Sequence, residues 1–380
     1  MIYLRKVASA LVCCAMLLTV LFVTACGYRP TVRQPQQPPA VLPELPPIRT
    51  MATFSHTMAI GVDGSLWSEG SNVAGELGDG TTLSRWFFDQ IGTDTDWASI
   101  DTGSWHTVAI KTDGSLWAWG SYNVSRLGAN GALGNGTRAG SSIPIQIGTD
   151  TDWAMATAGS IHTVAIKTDG SLWAWGSNSD GQLGNGRDRG LDSGSLVPIQ
   201  IGTDTDWVYV AASHGQTFAI KTDGSLWAWG DNQIGQLGDG TRERRLYPVR
   251  IGGDSTWSMI ALESDHTLGI QTDGSLWAWG YNWNGRLGDG TMTSRLSPVR
   301  IGTYYYWASV AAGGGYSVAV REDGSLWVWG ARTPLFFGGL ATRDRTVPTQ
   351  IYPDEHWVSV TAGNLRAFAI TKDGRIQRLG

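Results

Sequence analysis

The stretch HTVAIKTDGSLWAWG, from His106 to Gly120, returns with variation seven times after residue 50. The aspartate of its DG pair falls at Asp63, Asp113, Asp169, Asp223, Asp273, Asp323 and Asp373, with spacings of 50, 56, 54, 50, 50 and 50 residues. A fixed period of that length marks a repeat architecture. In each copy two apolar runs flank Thr-Asp-Gly-Ser or a close variant, and Asp and Gly tolerate the positive φ of a tight antiparallel connection, so the copy is a β-hairpin. Alternation along the strand sends Trp117 and Trp119 to one side and Leu116 and Ala118 to the other, which leaves both sides apolar. A small sheet covered on both sides needs a neighbour on both sides, and identical sheets stacked around an axis supply them.

The third copy shows a complete unit: WAMATAGSIHTVAIKTDGSLWAWGSNSDGQLGNG, a loop, then PIQIGTDTD. Four strands are predicted in it: WAMAT, HTVAI, SLWAWG and PIQI. The succession of G-x-x-H-T, DG-S-L-W-x-W-G, N-x-x-G-x-L-G and P-x-x-I resembles the regulator of chromosome condensation (alpha-tubulin suppressor-like) repeat family across residues 51–380. The resemblance implies an all-β, seven-bladed β-propeller of four-stranded blades, in a family whose members act as exchange factors, inhibitors or scaffolds. Seven hairpins accompany only six well-formed first and fourth strands, so the ends must complete one another. Residues 38–42 are expected to pair with the last strand, Arg375 to Leu379, and so close the ring. The copies at this seam are the poorest, with Glu69 for a tryptophan in the first and Gln377 and Leu379 for two in the last, which predicts the weakest point there.

Tryptophan fills the repeat. Of 20 in the chain, all but Trp86, Trp105 and Trp283 lie in SLWAWG strands or open the strand typified by WASI. Burying one removes about 200 Å² from water, or about 5 kcal/mol before ordering entropy is subtracted.

The N-terminal segment has a different character. Arg5 and Lys6 precede an apolar run from Val7 to Val23 and then Thr24-Ala25-Cys26, the layout of an export signal. Val-Thr-Ala-Cys resembles the bacterial lipobox, which implies that Cys26 becomes a lipidated mature N-terminus carrying palmitate-type acyl chains. Gly27 favours the outer membrane by the same resemblance, and an uncleaved membrane anchor is the alternative. The expected organisation is a lipoprotein signal peptide over 1–25, a Pro-rich tether over 26–37 and the propeller over 38–380, held at the cell envelope. Cys13 and Cys14 fall within the signal, so the mature chain has no disulfide to lean on.

No Ser/His/Asp elbow, HExxH, phosphate loop or paired-carboxylate cleft is present, and the chain is not expected to be an enzyme or to need a cofactor. The DG aspartates are read as turn residues. His56, His106, His162 and His266, at the entry to the second strand, are read as hydrogen-bonding groups, because successive blades would hold them too far apart to share a metal. Asp94 with Asp96, Asp150 with Asp152 and Asp204 with Asp206 have the spacing of calcium ligands but lack the rest of a ligand set.

Strand parity separates two faces. The DG turns and the GTDTD-type loops share one, strongly acidic; the loops after the first and third strands share the other, which collects arginines from Arg85 to Arg345. The second of these also carries Trp105, Tyr122, Trp283, Tyr316, Phe336, Phe337 and Arg366, and aromatics beside arginine are the composition of binding hot spots. These seven are the candidate partner site. The expected function is a lipid-anchored platform for an unknown protein partner, working as a monomer without nucleic acid; the alternatives are an inhibitor of a secreted enzyme and a carbohydrate-binding, lectin-like propeller.

Overall fold

The computed structural model describes residues 45–121, 131–187, 194–253, 256–263, 265–331, 344–364 and 366–379. Among these residues six four-stranded antiparallel sheets and one three-stranded sheet follow one another along the chain, each built from strands adjacent in sequence. They are the blades of a seven-bladed β-propeller: 48–90, 97–146, 153–200, 207–251, 257–300, 307–351 and 357–378. The first strand of blade 1 packs against the first strands of blades 2 and 7, and all seven first strands line one central channel of about 370 Å³.

The hairpin forms for a reason visible in DGSLW. In blade 2 the Asp113 carboxylate accepts the Ser115 N–H at 2.9 Å and its hydroxyl at 2.6 Å, and that hydroxyl accepts the Trp117 indole N–H at 2.9 Å. One serine thus ties the turn to the strand that leaves it. The same three-residue relay holds Asp63, Asp169, Asp273 and Asp323; Asp223 accepts the Ser225 N–H, and Asp373 is held by Thr371 and Arg375. Hydrogen bonds from the serine side chain come first in holding the Asp113 carboxyl below its usual range.

The fourth strand is longer than PIQI suggests. In blade 3 it runs Ser195–Gln200, and in blade 4 Arg245–Ile251. Blades meet through the third strand: Trp119, Trp175, Trp229, Trp279 and Trp329 are fully buried there, with Trp97, Trp153, Trp207, Trp257 and Trp307 set edge-on to them. A backbone bond also links successive blades from the second to the seventh, such as Trp153 N–H to Gly114 O at 3.2 Å and Trp207 N–H to Gly170 O at 3.2 Å. Ile48 N–H makes the equivalent bond to Gly374 O at 2.7 Å and joins the first blade to the last. The strand expected from residues 38–42 lies outside the described residues; the last strand spans Ile376–Arg378.

Candidate functional site

Parity grouped the DG turns with the GTDTD loops, and the two do meet. Lys111 Nζ lies 2.6 Å from Asp94 and 3.0 Å from Asp96, and Lys167 and Lys221 repeat both distances with Asp150 and Asp152, and with Asp204 and Asp206. Each ammonium also sits over two indoles, Lys111 at 4.8 Å from Trp97 and 4.7 Å from Trp117. The aspartate pairs with calcium spacing therefore grip a lysine of their own chain. Blade 6 breaks the pattern: Tyr304, Tyr305 and Tyr306 replace the aspartates and stand exposed, with Arg300 over Tyr305 at 4.3 Å and Arg321 over Tyr304 at 5.3 Å.

Toward the opposite face, the histidines run a relay between blades. His162 Nε2 lies 3.0 Å from Thr217 Oγ1, and Thr217 donates to the Gln182 carbonyl at 2.8 Å. The threonine spends its proton on the carbonyl, so the histidine must carry its proton on Nε2. Trp229 Nε1 donates to the same carbonyl at 2.8 Å. The relay recurs from His56 through Thr107 to Glu76 O, from His106 through Thr163 to Ala132 O, and from His266 through Ser317 to Arg286 O. The glycine of G-x-x-H makes room for the ring, since a Cβ on Gly159 would fall 2.1 Å from His162 Cε1. Burial pushes His56 and His162 down to about 3 and His106 to about 4, with neighbouring His106 adding to the effect on the first two.

At the channel mouth, Ser55 donates to Ser104 O at 2.8 Å, the Ser104 and Ser160 hydroxyls lie 2.7 Å apart, and Ser160 N–H donates to His214 O at 3.1 Å. The Phe54 and His214 rings, from blades 1 and 4, then meet across the opening at 5.3 Å. Beneath them Asp101 is raised by burial, against the pull of hydrogen bonds from Thr157 and Ala158.

On the same side, the loop after the third strand of blade 5 carries Trp283, 66% exposed. Its hub is Asn282, whose Nδ2 donates to Asp289, Thr291 O and Thr293 O while its Oδ1 accepts Leu287 N–H. Arg286 lies below, almost fully buried: Nε donates to Trp283 O at 3.2 Å, one terminal nitrogen is 3.4 Å from Asp265, and the guanidinium faces the Tyr281 ring at 5.1 Å. Beside it, Gly313, Gly314 and Gly315 keep the neighbouring turn low, with the Arg286 guanidinium 3.7 Å from where a Gly315 Cβ would stand. The result is an exposed indole on a rigid loop above a shelf with no side-chain wall.

The RCC1-like domain family matches residues 24–369. The chain belongs to that family. Among characterised relatives, the RCC2 homolog of Xenopus laevis is 37% identical over 81 residues, 21% of this chain and 15% of that protein. The ultraviolet-B receptor UVR8 of Arabidopsis thaliana is 29% identical over 191 residues, 50% of this chain and 42% of that protein. The chain therefore aligns with less than half the length of either. The structure of Prp20p from Saccharomyces cerevisiae superposes with a TM-score of 0.74 at 24% identity, covering 85% of this chain and 82% of that one; it was described together with the binding of Prp20p to Gsp1p and histones.

Four of the seven candidate residues are described, and they do not form one exposed surface, although Tyr316 reaches the Arg366 carbonyl. Trp283 stands free. Trp105 is half-buried, packed with Ile161 against Ala74 of the preceding blade. Tyr316 corrects the sequence reading: it is 2% exposed and takes the histidine's place, its hydroxyl donating at 2.8 Å to Gly363 O and Arg366 O, so it has no surface to offer. Arg366 turns toward Glu69 at 3.6 Å. Tyr122, Phe336 and Phe337 lie outside the described residues. Several arginines counted on this face are also engaged locally, Arg85, Arg245 and Arg295 with Asp79, Asp239 and Asp289. Sequence reasoning missed Phe54 and His214; a histidine in the column that holds Ser104 and Ser160 was the available signal.

Proposed function

We propose that this RCC1-like propeller is a binding platform, not an enzyme, and that it holds a protein partner on the face bearing Trp283. The observation that carries the reading is the exposed Trp283 indole, fixed by the Asn282 hub and the buried Arg286 beside the low glycine turn. A rigid aromatic next to arginine is what interface hot spots are made of. The fold neighbour Prp20p, whose structure was described with its protein partners, supports the class of activity. The finer reading follows from the first residues: an export signal and lipidation at Cys26 put the platform on the cell envelope, probing outward as a monomer without nucleic acid, where an inhibitor of a secreted enzyme is its sharpest form.

The test is affinity capture from native envelopes with the full chain. Trp283→Ala should lose the partner, at least about 2 kcal/mol of binding for a hot spot, while stability stays within about 0.5 kcal/mol. Tyr304→Ala, on the other face, should keep it. The reverse result assigns the wrong face, and acyl label retained by Cys26→Ser sinks the anchoring.

A further inference from the structure

At the rim between blades 3 and 4 lies a groove of about 460 Å³, lined in part by Asn185, Gln200, Asp204, Trp227 and Tyr247. That is within the roughly 300–1,000 Å³ of small-molecule sites. Tyr247 is 62% exposed, yet its ring is not loose. A Cβ on Gly186 would fall 2.0 Å from the Tyr247 hydroxyl oxygen and 2.1 Å from Cζ, so the ring lies against backbone that only glycine leaves bare. Most of the ring stays open to water.

The polar lining is equally defined. Asn185 Oδ1 accepts Asn178 Nδ2 and Arg187 N–H, both at 3.0 Å, which fixes the amide and leaves Nδ2 without a partner among the described residues. Gln200 is exposed. Asp204 is ion-paired at 2.6 Å with Lys221, which it shares with Asp206. Two aromatic rings and two amides therefore line the groove beside one carboxylate, which a lysine already holds. A matching ligand is neutral, has hydroxyls for the amides and offers an apolar C–H face to the rings. We infer that this groove binds a neutral pyranose oligosaccharide.

Among the described residues the other rims lack the combination. In the Tyr247 column stand Phe87, Ile143, Val197, Ser297 and Val347. In the Asn185 column, Asp79, Asp239 and Asp289 are each locked to an arginine. The rim between blades 2 and 3 is the informative control: Asn135, Gln146, Asp150 and Trp173 repeat the set in sequence, Val197 departs from it, and Asn135 Nδ2 donates to Ala139 O at 3.3 Å. Gly136 is there as well, its Cβ position 3.9 Å from Val197. This site is independent of the protein-binding face and stands or falls without it.

The experiment titrates the full chain with cellotriose, maltotriose, chitotriose and mannotriose, read by saturation-transfer NMR and tryptophan fluorescence. One site per chain is expected for at least one sugar. Tyr247→Val should weaken it roughly tenfold, Tyr247→Phe should keep it, and Val197→Tyr should raise the stoichiometry to two. Thermal unfolding confirms that each variant is folded. Absence of transfer from all four sugars overturns the proposal, as does binding indifferent to Tyr247→Val. Saturation by a decaproline peptide with the same Tyr247 dependence, and none by sugar, also overturns it, in favour of a proline-rich segment.

Discussion

The boundary between blades 3 and 4 and the seam between blades 7 and 1 occupy equivalent places and are held by opposite chemistry. At the first, Trp229 and Thr217 share the Gln182 carbonyl, and His162 completes a relay of neutral hydrogen bonds in a dry setting. At the seam Arg366 stands in the histidine's column and Glu69 in the tryptophan's. Glu69 is buried and pairs with both Arg366 and Arg378, while Thr57 turns to Thr53 at 2.9 Å within its own blade. Apolar contact there comes from Phe88 edge-on to Phe368 at 6.3 Å, with Ile48 and Trp67. Trp86 lies on the fourth strand of the first blade. Its counterpart in blade 4, Leu246, rests on Gly181 of the preceding blade's loop; Trp86 remains exposed. Where the repeat is intact, closure is neutral and packed. At the seam between the last blade and the first, an ionic cluster takes its place.

The largest expected consequence is with pH. The unfolded histidines bind protons below 6.5, but His56 and His162 do so only near about 3 and His106 near about 4 when folded. Stability is thus fully present above 6.5 and is lost as pH falls through that window, by about 1.36 kcal/mol per pH unit for each histidine, or about 2 kcal/mol each at pH 5. Glu69 has the opposite sign. Burial raises it despite both arginines, so the seam loses stability as pH rises above 4.5 through the folded value. Denaturant unfolding at pH 7.5 and 5 should show the loss, and His162→Gln, copying Gln216 in blade 4, should shrink it by about 2 kcal/mol. Hydrogen exchange at pH 5 that opens the seam before the histidine boundaries would contradict the comparison.

Next in size is the third-strand column itself. Trp229→Ala should cost about 3–5 kcal/mol and Ile48→Ala, in the apolar cluster at the seam, about 2–3 kcal/mol. Both side chains are buried. Equal losses in denaturant midpoint would mean the seam is packed as well as any boundary.

The fold was legible because its determinants are local and repeated. DGSLW encodes its own turn, and alternation in LWAWG encodes both faces of the sheet. The sites were less so, because each depends on which columns face each other across blades. Nothing local marks Asp94 as the partner of Lys111, 17 residues on. Tyr316 looked like a departure free to serve a partner, yet it is buried like His56, His106, His162, Gln216 and His266 in the same column. Nothing local marks Tyr247 either, because what sets it apart is the Gly186 backbone of the preceding blade beneath its ring. Trp283 was legible as an exception to the repeat, and it is exposed for that reason.

The smallest expected effect is the most specific to the seam. Arg378→Ala removes one of two cations from Glu69 and leaves the carboxylate buried beside Arg366 alone. Breaking a fully buried pair costs about 3–5 kcal/mol, but Arg378 is 43% exposed, so solvent screening brings the expected loss to about 1–2 kcal/mol. Lost packing of the arginine stem, which lies over Phe368 at 5.4 Å, could produce a similar figure, and pH separates the two. Arg378 lowers the Glu69 carboxyl against its burial. Without it the carboxyl rises further, and near pH 5 more of the variant folds with Glu69 protonated and no charge left unpaired. The penalty, measured as variant minus parent at each pH, should therefore be larger at pH 8 than at pH 5, whereas a packing defect is the same at both. A pH-independent penalty would mean that Phe368 and Ile48, not the ion pair, hold the first blade to the last.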